Sequence, residues 1–134
     1  MSEGRLHLKV VTPTRVVVDA EADEVGLPGA LGVLGILPGH APLLASLSIG
    51  ELWYREGVRE YNLALQWGFV EVVDNVVTVL AEVAEFPGEI DLEAAEAERV
   101  AAEAALKEAG EADFDAARAR LEAAVTRVTV ATRG

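Results

Sequence analysis

The chain has 134 residues, 51% of them apolar, with 23 acids against 11 bases for a formal net charge of −12, and no cysteine. That apolar content can fill a core and excludes a disordered chain. The acidic balance excludes nucleic acid, whose phosphates require a basic face, and direct adsorption on anionic lipid. Without cysteine there is no disulfide and no thiolate chemistry.

The opening MSEGRLHLKV carries no apolar stretch of a secretory signal. No apolar run approaches the ~18 residues of a membrane span. The expectation is a soluble, cytoplasmic protein with no direct lipid insertion. Leu6, Leu8 and Val10 alternate with His7 and Lys9, the period-2 pattern of a half-buried strand. Thr12-Pro13-Thr14 interrupts it, because proline cannot donate to a ladder. Arg15 to Ala20 reads as a returning strand, and Glu24 to Leu27 as a short third strand ending at Pro28-Gly29. From Gly32 to Leu44 the sequence GVLGILPGHAPLL reads as a backbone-shaped loop. Its Pro38-Gly39 pair predicts a type II turn, with glycine supplying the positive φ. Leu43 to Ile49 resumes a strand that is expected to stop at Gly50, and Glu51–Glu56 and Val58–Leu65 form a hairpin about Gly57. Gln66 to Val73 and Val76 to Val83 follow, separated by the turn pair Asp74-Asn75. Short strands at this spacing predict an antiparallel sandwich or barrel.

Phe86-Pro87-Gly88 ends the strand region, and the composition changes to alanine and glutamate, which are strong helix formers. The expected division is a β domain over residues 1–86 and a helical hairpin over 87–134. Asp91 is a good N-cap, Gly110 a helix stop, and Asp113 a second N-cap. In the second helix Phe114, Ala117, Leu121, Ala124, Val128 and Ala131 make one apolar seam. The first helix offers Ala94, Ala97, Ala101 and Ala104 or Ala105 as a facing stripe. One Phe, one Leu and small residues bury little area, at roughly 1.5–3 kcal/mol for each well-buried large side chain. Ordering the backbone costs about 1 kcal/mol or more per residue, so the hairpin is expected to need a surface to dock on. Its charge is uneven: Glu89–Glu111 holds eight acids and two bases (−6), and residues 112–134 hold three acids and four bases (+1). The arginines Arg118, Arg120, Arg127 and Arg133 either pair with the acidic first helix or meet an acidic patch on a partner.

No catalytic constellation can be assembled. His7 and His40 are the only histidines; the first points out of a strand and the second is expected to order its loop by hydrogen bonds. Two histidines without cysteine do not make a structural zinc site. The acids Asp19, Glu21, Asp23 and Glu24 read as a solvated face, and Gly29, Gly32 and Gly35 precede no helix start that could cradle phosphate. Trp53 and Trp67 read as core or interface residues on strands.

LHLKVVTPTRVVVDAEADEVGLPG, GVLGILPGHAPLL and QWGFVEVVDNVVTVLAEVAE, in that order along the chain, together resemble the ε subunit of bacterial F-type ATP synthases. The first is similar to that family's opening strands, and the second to its signature loop. The third is similar to its G-G-F-x-E-V-x-x-N-x-V-x-V-L-A segment, matching at Gly68, Phe69, Glu71, Val72, Asn75, Val77, Val79, Leu80 and Ala81, with Trp67 in place of the first glycine. The resemblance implies a flattened β-sandwich of about ten strands followed by an antiparallel helical hairpin. It implies a non-catalytic rotor subunit, peripheral on the cytoplasmic face of the cell membrane. Its implied partners are the γ subunit, the ring of c subunits and, when the hairpin extends and restrains hydrolysis, the α/β catalytic head. The loop residues Gly32, Val33, Leu34, Gly35, Pro38, Gly39 and His40 are then the expected ring contact, and Arg118, Arg120 and Arg127 the expected contacts of the extended hairpin. Val33 stands where relatives often carry an acid, which makes that contact more apolar. Some relatives bind ATP through an I-D-x-x-R-A motif. Ile90, Asp91 and Ala95 match it, but Ala94 replaces the arginine whose fork of donors would hold phosphate. No cofactor is therefore expected, and ATP as a regulatory ligand would rest on Ile90 and Asp91. The alternative from another class is a free-standing ligand-binding β-sandwich with a helical dimerisation tail.

Overall fold

The computed structural model describes residues 4–133. Seven strands lie in the order β2-β1-β7-β6-β5-β3-β4: β1 (Leu6–Val11), β2 (Val16–Ala22), β3 (Glu24–Gly29), β4 (Gly32–Ile36), β5 (Leu43–Glu56), β6 (Arg59–Val73) and β7 (Val76–Glu85). Every neighbouring pair is antiparallel except β1 with β7, which run parallel. The sheet encloses one core. Leu6, Leu8 and Val10 of β1 and Val77 and Val79 of β7 belong to the same buried cluster as Val25, Leu27, Ile36 and Leu52 from the other edge. The alternation read from the first ten residues and from β7 is the alternation observed.

The strand count is seven rather than about ten because segments that the sequence separates are continuous. Gly50 does not stop a strand: β5 runs through it for 14 residues. A Cβ at Gly50 would press into the ring of Pro28, so this glycine serves close approach to β3, not termination. Likewise β6 is one 15-residue strand, paired with β5 on both sides of the single skipped pair Ser48 and Trp67. Trp67 sits at φ 53°, an uncommon conformation for a bulky residue. The stretch expected to be one loop also divides. Gly32 to Ile36 is strand β4, paired with β3 from Gly29↔Gly32 to Val25↔Ile36, and only Leu37 to Pro42 lies outside strands.

The Pro87–Glu89 single turn leads into helix α1 (Leu92–Glu108), and Glu111–Asp113 into helix α2 (Phe114–Ala131). Asp91 caps α1 as expected, its carboxylate accepting the Ala94 N–H at 3.1 Å. Asp113 makes no side-chain cap; its backbone is already helical (φ −104°, ψ −2°), and its own N–H bonds the Gly110 carbonyl. The buried face of α1 is Ala95 and Ala102, whereas Ala94, Ala97, Ala101 and Ala104 face solvent. Alanine occupies every side of this helix, so the pattern could not choose among them. On α2 the seam is real at Ala124, but Phe114 is exposed and the most buried residue is Val130, off that seam. Helix α2 has two contacts to satisfy, one with α1 and one with β5 and β6. Ala64 of β6, Ile90, Ala95 and Val130 make the cluster that joins helices to sheet.

Candidate functional site

The loop region is built by β3, β4 and the start of β5. Pro38-Gly39 forms the expected turn: Gly39 has φ 87° and the His40 N–H donates to the Leu37 carbonyl at 3.1 Å. His40 orders the turn locally, its Nδ1 lying 2.6 Å from the Ala41 carbonyl oxygen. A partner that the sequence reading did not identify completes the arrangement. Asn75, at the β6–β7 turn, accepts the Gly39 N–H on its Oδ1 at 2.7 Å.

Around this turn the surface is apolar. Leu31, Val33, Leu37 and Leu44 are all exposed, Val33 at 83% and Leu44 at 75%. Gly32 and Gly35 are exposed beside them, whereas Leu34 is half-buried against the core. A groove between residues 29–34 and 43–46 carries no charged side chain. It shares Ala30 and Ser46 with a second groove, lined by Val11, Pro13, Trp67, Phe69 and Leu80 with Glu82 as its one charged residue. Trp67, Phe69 and Leu80 are themselves exposed. Isolated surface leucines need no explanation, but a contiguous apolar strip marks an interaction surface. Trp67 thus lies on a surface, while Trp53 stands directly over the bare backbone of Gly26.

The hairpin arginines fall into two groups. Arg120 holds Glu98 of α1 through two bonds, the longer at 2.9 Å, and Arg127 holds Glu85 of β7 at 2.9 and 3.2 Å. Arg133 grips Glu51 of β5 at 2.8 Å through two nitrogens. Arg118 has no carboxylate within 4.0 Å among the described residues. Pairing is therefore intramolecular in this arrangement, though two of the three acids lie on the sheet rather than on α1. Arg120 holds the Glu98 carboxyl below its ordinary range, and Glu51 beside Arg133 raises the guanidinium further. At the joint between sheet and helices Arg15 bonds Glu89 at 2.9 Å, and the same Glu89 oxygen accepts the Phe86 N–H at 2.9 Å. Both hydrogen bonds hold the Glu89 carboxyl low, that from Arg15 the more strongly. Ile90 is buried under α2 and Asp91 is occupied as a cap, so each already has a structural task where a nucleotide motif would place it.

The described residues contain no group of three or more His, Asp or Glu placed to hold a metal, and no helix long and apolar enough to cross a membrane. His7 is paired with Asp19 at 2.6 Å on the exposed side of β1.

The family described as ATP synthase, Delta/Epsilon chain, beta-sandwich domain matches residues 5–87. The chain is 46% identical over 132 residues to ATP synthase epsilon chain 2 of Syntrophotalea carbinolica, covering 97% of this chain and 96% of the relative. This chain belongs to the ATP synthase epsilon chain family. A second relative, the ATP synthase epsilon chain of Geobacter metallireducens, is 52% identical over 103 residues, covering 77% of this chain and 75% of the relative. Among solved structures, a chain of the Euglena gracilis mitochondrial ATP synthase assembly containing OSCP, F1 and c-ring superposes with a TM-score of 0.82 at 22% identity, covering 96% of this chain and 82% of that one. The family likeness therefore extends through both the sheet and the helical hairpin.

Proposed function

We propose that the chain is the non-catalytic rotor subunit of an F-type ATP synthase, coupling rotation to ATP synthesis and restraining hydrolysis through its helical hairpin. The single observation that carries this reading is the match to an epsilon chain over 97% of the sequence, helices included. The surface supports it. The loop bearing Gly32, Val33, Leu34, Gly35, Pro38, Gly39 and His40 is the proposed contact with the c ring. The groove at Trp67, Phe69 and Leu80 is the apolar area left for the γ shaft. Both lie on a module held at the cytoplasmic face of the membrane by its partners rather than by lipid. Residues 1–86 serve as the rotor-bound domain and 87–134 as the regulatory one.

In the arrangement described here the hairpin is folded onto its own sheet. Extension would release Arg127 from Glu85 and Arg133 from Glu51. Arg127, with Arg118, would then be available to the acidic head, and Arg120 would join them once α1 and α2 part and Glu98 lets it go. Two such states can interconvert only if they differ by a few kcal/mol, and the small cluster at Val130 is compatible with that. No cofactor is assigned, because the Ala94 side chain offers a phosphate no donors and its N–H is already given to Asp91. The reading of a ligand-binding module with a dimerisation tail is not favoured, since α2 spends Val130 on its own sheet.

Reconstitution tests the proposal. Enzyme carrying the chain without residues 87–134 should hydrolyse ATP faster than enzyme carrying the full chain, while proton pumping remains coupled. Unchanged hydrolysis would remove the restraining role, and failure of the full chain to join the enzyme would remove the rotor role.

A further inference from the structure

We propose that Asn75 is the positioning residue of the Leu37–Pro42 loop, and that it fixes the geometry in which this loop meets its partner. The proposal rests on the ring-contact reading of the loop. The observation behind it is that the loop is almost unattached. Between Ile36 at the end of β4 and Leu43 at the start of β5, no residue belongs to a strand. Two of the segment's described hydrogen bonds are internal: His40 N–H to the Leu37 carbonyl, and His40 Nδ1 with the Ala41 carbonyl. The third is the bond from the Gly39 N–H to Asn75 Oδ1 at 2.7 Å, the only described hydrogen bond that ties the segment to the rest of the molecule.

Asn75 is built for the task. It and Asp74 have positive φ, 67° and 48°, in the two-residue turn between Val73 and Val76, which pair with each other. Those dihedrals define a turn that holds the two long strands in register. Asparagine tolerates this conformation better than most residues and also presents a carbonyl oxygen. The backbone carbonyl of Asn75 accepts the His7 N–H of β1 at 2.8 Å. One residue therefore links the loop, the β6–β7 turn and the edge of β1. Its amide oxygen must face Gly39, because a backbone N–H needs an acceptor and the amide nitrogen is not one. A loop that carries exposed Leu37 and borders exposed Val33 and Leu44 is thereby held to a rigid turn rather than left to fluctuate. Preorganisation of this kind raises affinity by reducing the ordering cost on binding.

Two substitutions separate the acceptor from the backbone conformation. Asn75→Gly keeps the positive φ and removes the acceptor, whereas Asn75→Asp keeps both. The expected result is that the glycine variant melts close to the wild-type temperature but exchanges its Gly39 amide hydrogen faster. It should also bind enzyme depleted of this chain about three- to tenfold more weakly, as loss of one net hydrogen bond predicts. Asn75→Asp should restore both properties. Unchanged Gly39 exchange in Asn75→Gly would overturn the proposal, because the bond would not be holding the loop. Faster exchange with wild-type affinity would overturn it as well, since the loop would then be fixed without consequence for the contact. If the wild-type chain itself fails to join the depleted enzyme, the functional reading falls, and the Gly39 exchange decides alone whether Asn75 fixes the loop.

Discussion

In the sheet, nineteen buried side chains form one connected cluster that reaches from Leu6 in β1 to Ile36 in β4. The helices meet that sheet through Ala64, Ile90, Ala95 and Val130, with Val128 and Ala131 at the rim. The helices compensate with charge: Arg127–Glu85, Arg133–Glu51 and Arg15–Glu89 all cross from one region to the other or brace the joint. Apolar burial is not weakened by charge screening, whereas partly exposed ion pairs are. The sheet is therefore a fixed body, and the hairpin an element whose hold depends on a few contacts and on solution conditions.

The largest effect is expected in the sheet. Leu52 is fully buried in the main cluster, so Leu52→Ala should cost about 2–5 kcal/mol of global stability. Chemical denaturation followed by tryptophan fluorescence reads this, since Trp53 and Trp67 both lie on sheet strands. A smaller effect, about 2 kcal/mol, is expected from Val130→Ala, which removes two buried carbon groups from the joining cluster. The two variants should differ in kind as well as in size. Val130→Ala should speed amide exchange throughout α1 and α2 and leave the β6 amides protected, whereas Leu52→Ala should weaken both regions together. Equal loss of protection in the sheet after Val130→Ala would show that the two regions unfold as one unit.

The sheet was legible because alternation states which face is buried. Val77, Val79 and Ala81 are named as inward by their sequence and are buried. Turns were legible where their chemistry is specific, at Pro38-Gly39, Gly57 and Asp74-Asn75, all of which carry a positive φ where one is needed. Gly50 was misread because a glycine that permits close approach looks the same in sequence as one that ends a strand. Helix α1 was legible as a helix but not in its orientation, since Ala95 and Ala94 differ only in what lies opposite. Among the candidate residues, the arginines were legible only as cations open to two readings, pairing within the chain or meeting a partner, and Arg120, Arg127 and Arg133 do pair within the chain. The bond from Gly39 to Asn75 was invisible because 36 positions separate the two. Only the pairing of β5 with β6, Leu43 opposite Val72, together with the turn that follows β6, places them together. Val130 was hidden for a related reason: one seam was sought on a helix that touches two neighbours.

The finest test of the contrast is acidity. Arg120 holds Glu98, and Arg15 with the Phe86 N–H holds Glu89, below the ordinary value of 4.5. In the sheet the Gly57 N–H at 2.7 Å, with Arg5, holds Asp23 below 3.8. A carboxylate whose affinity for protons is lowered by folding contributes stability that is complete above its unfolded value and disappears as pH falls through the folded one. Both regions should therefore loosen in acid, and the hairpin should loosen first, because its protonation begins from the higher reference value and little apolar burial stands behind it. Thermal unfolding followed by helical circular dichroism, at successive pH steps below 4.5, reads the hairpin, and tryptophan fluorescence reads the sheet. In Glu98→Gln the helical transition should begin lower at neutral pH and change less on acidification than in the wild type. If the two signals instead fall together at every pH, in both proteins, the charges at Glu98 and Glu89 contribute nothing separate to the hairpin and its hold is apolar after all.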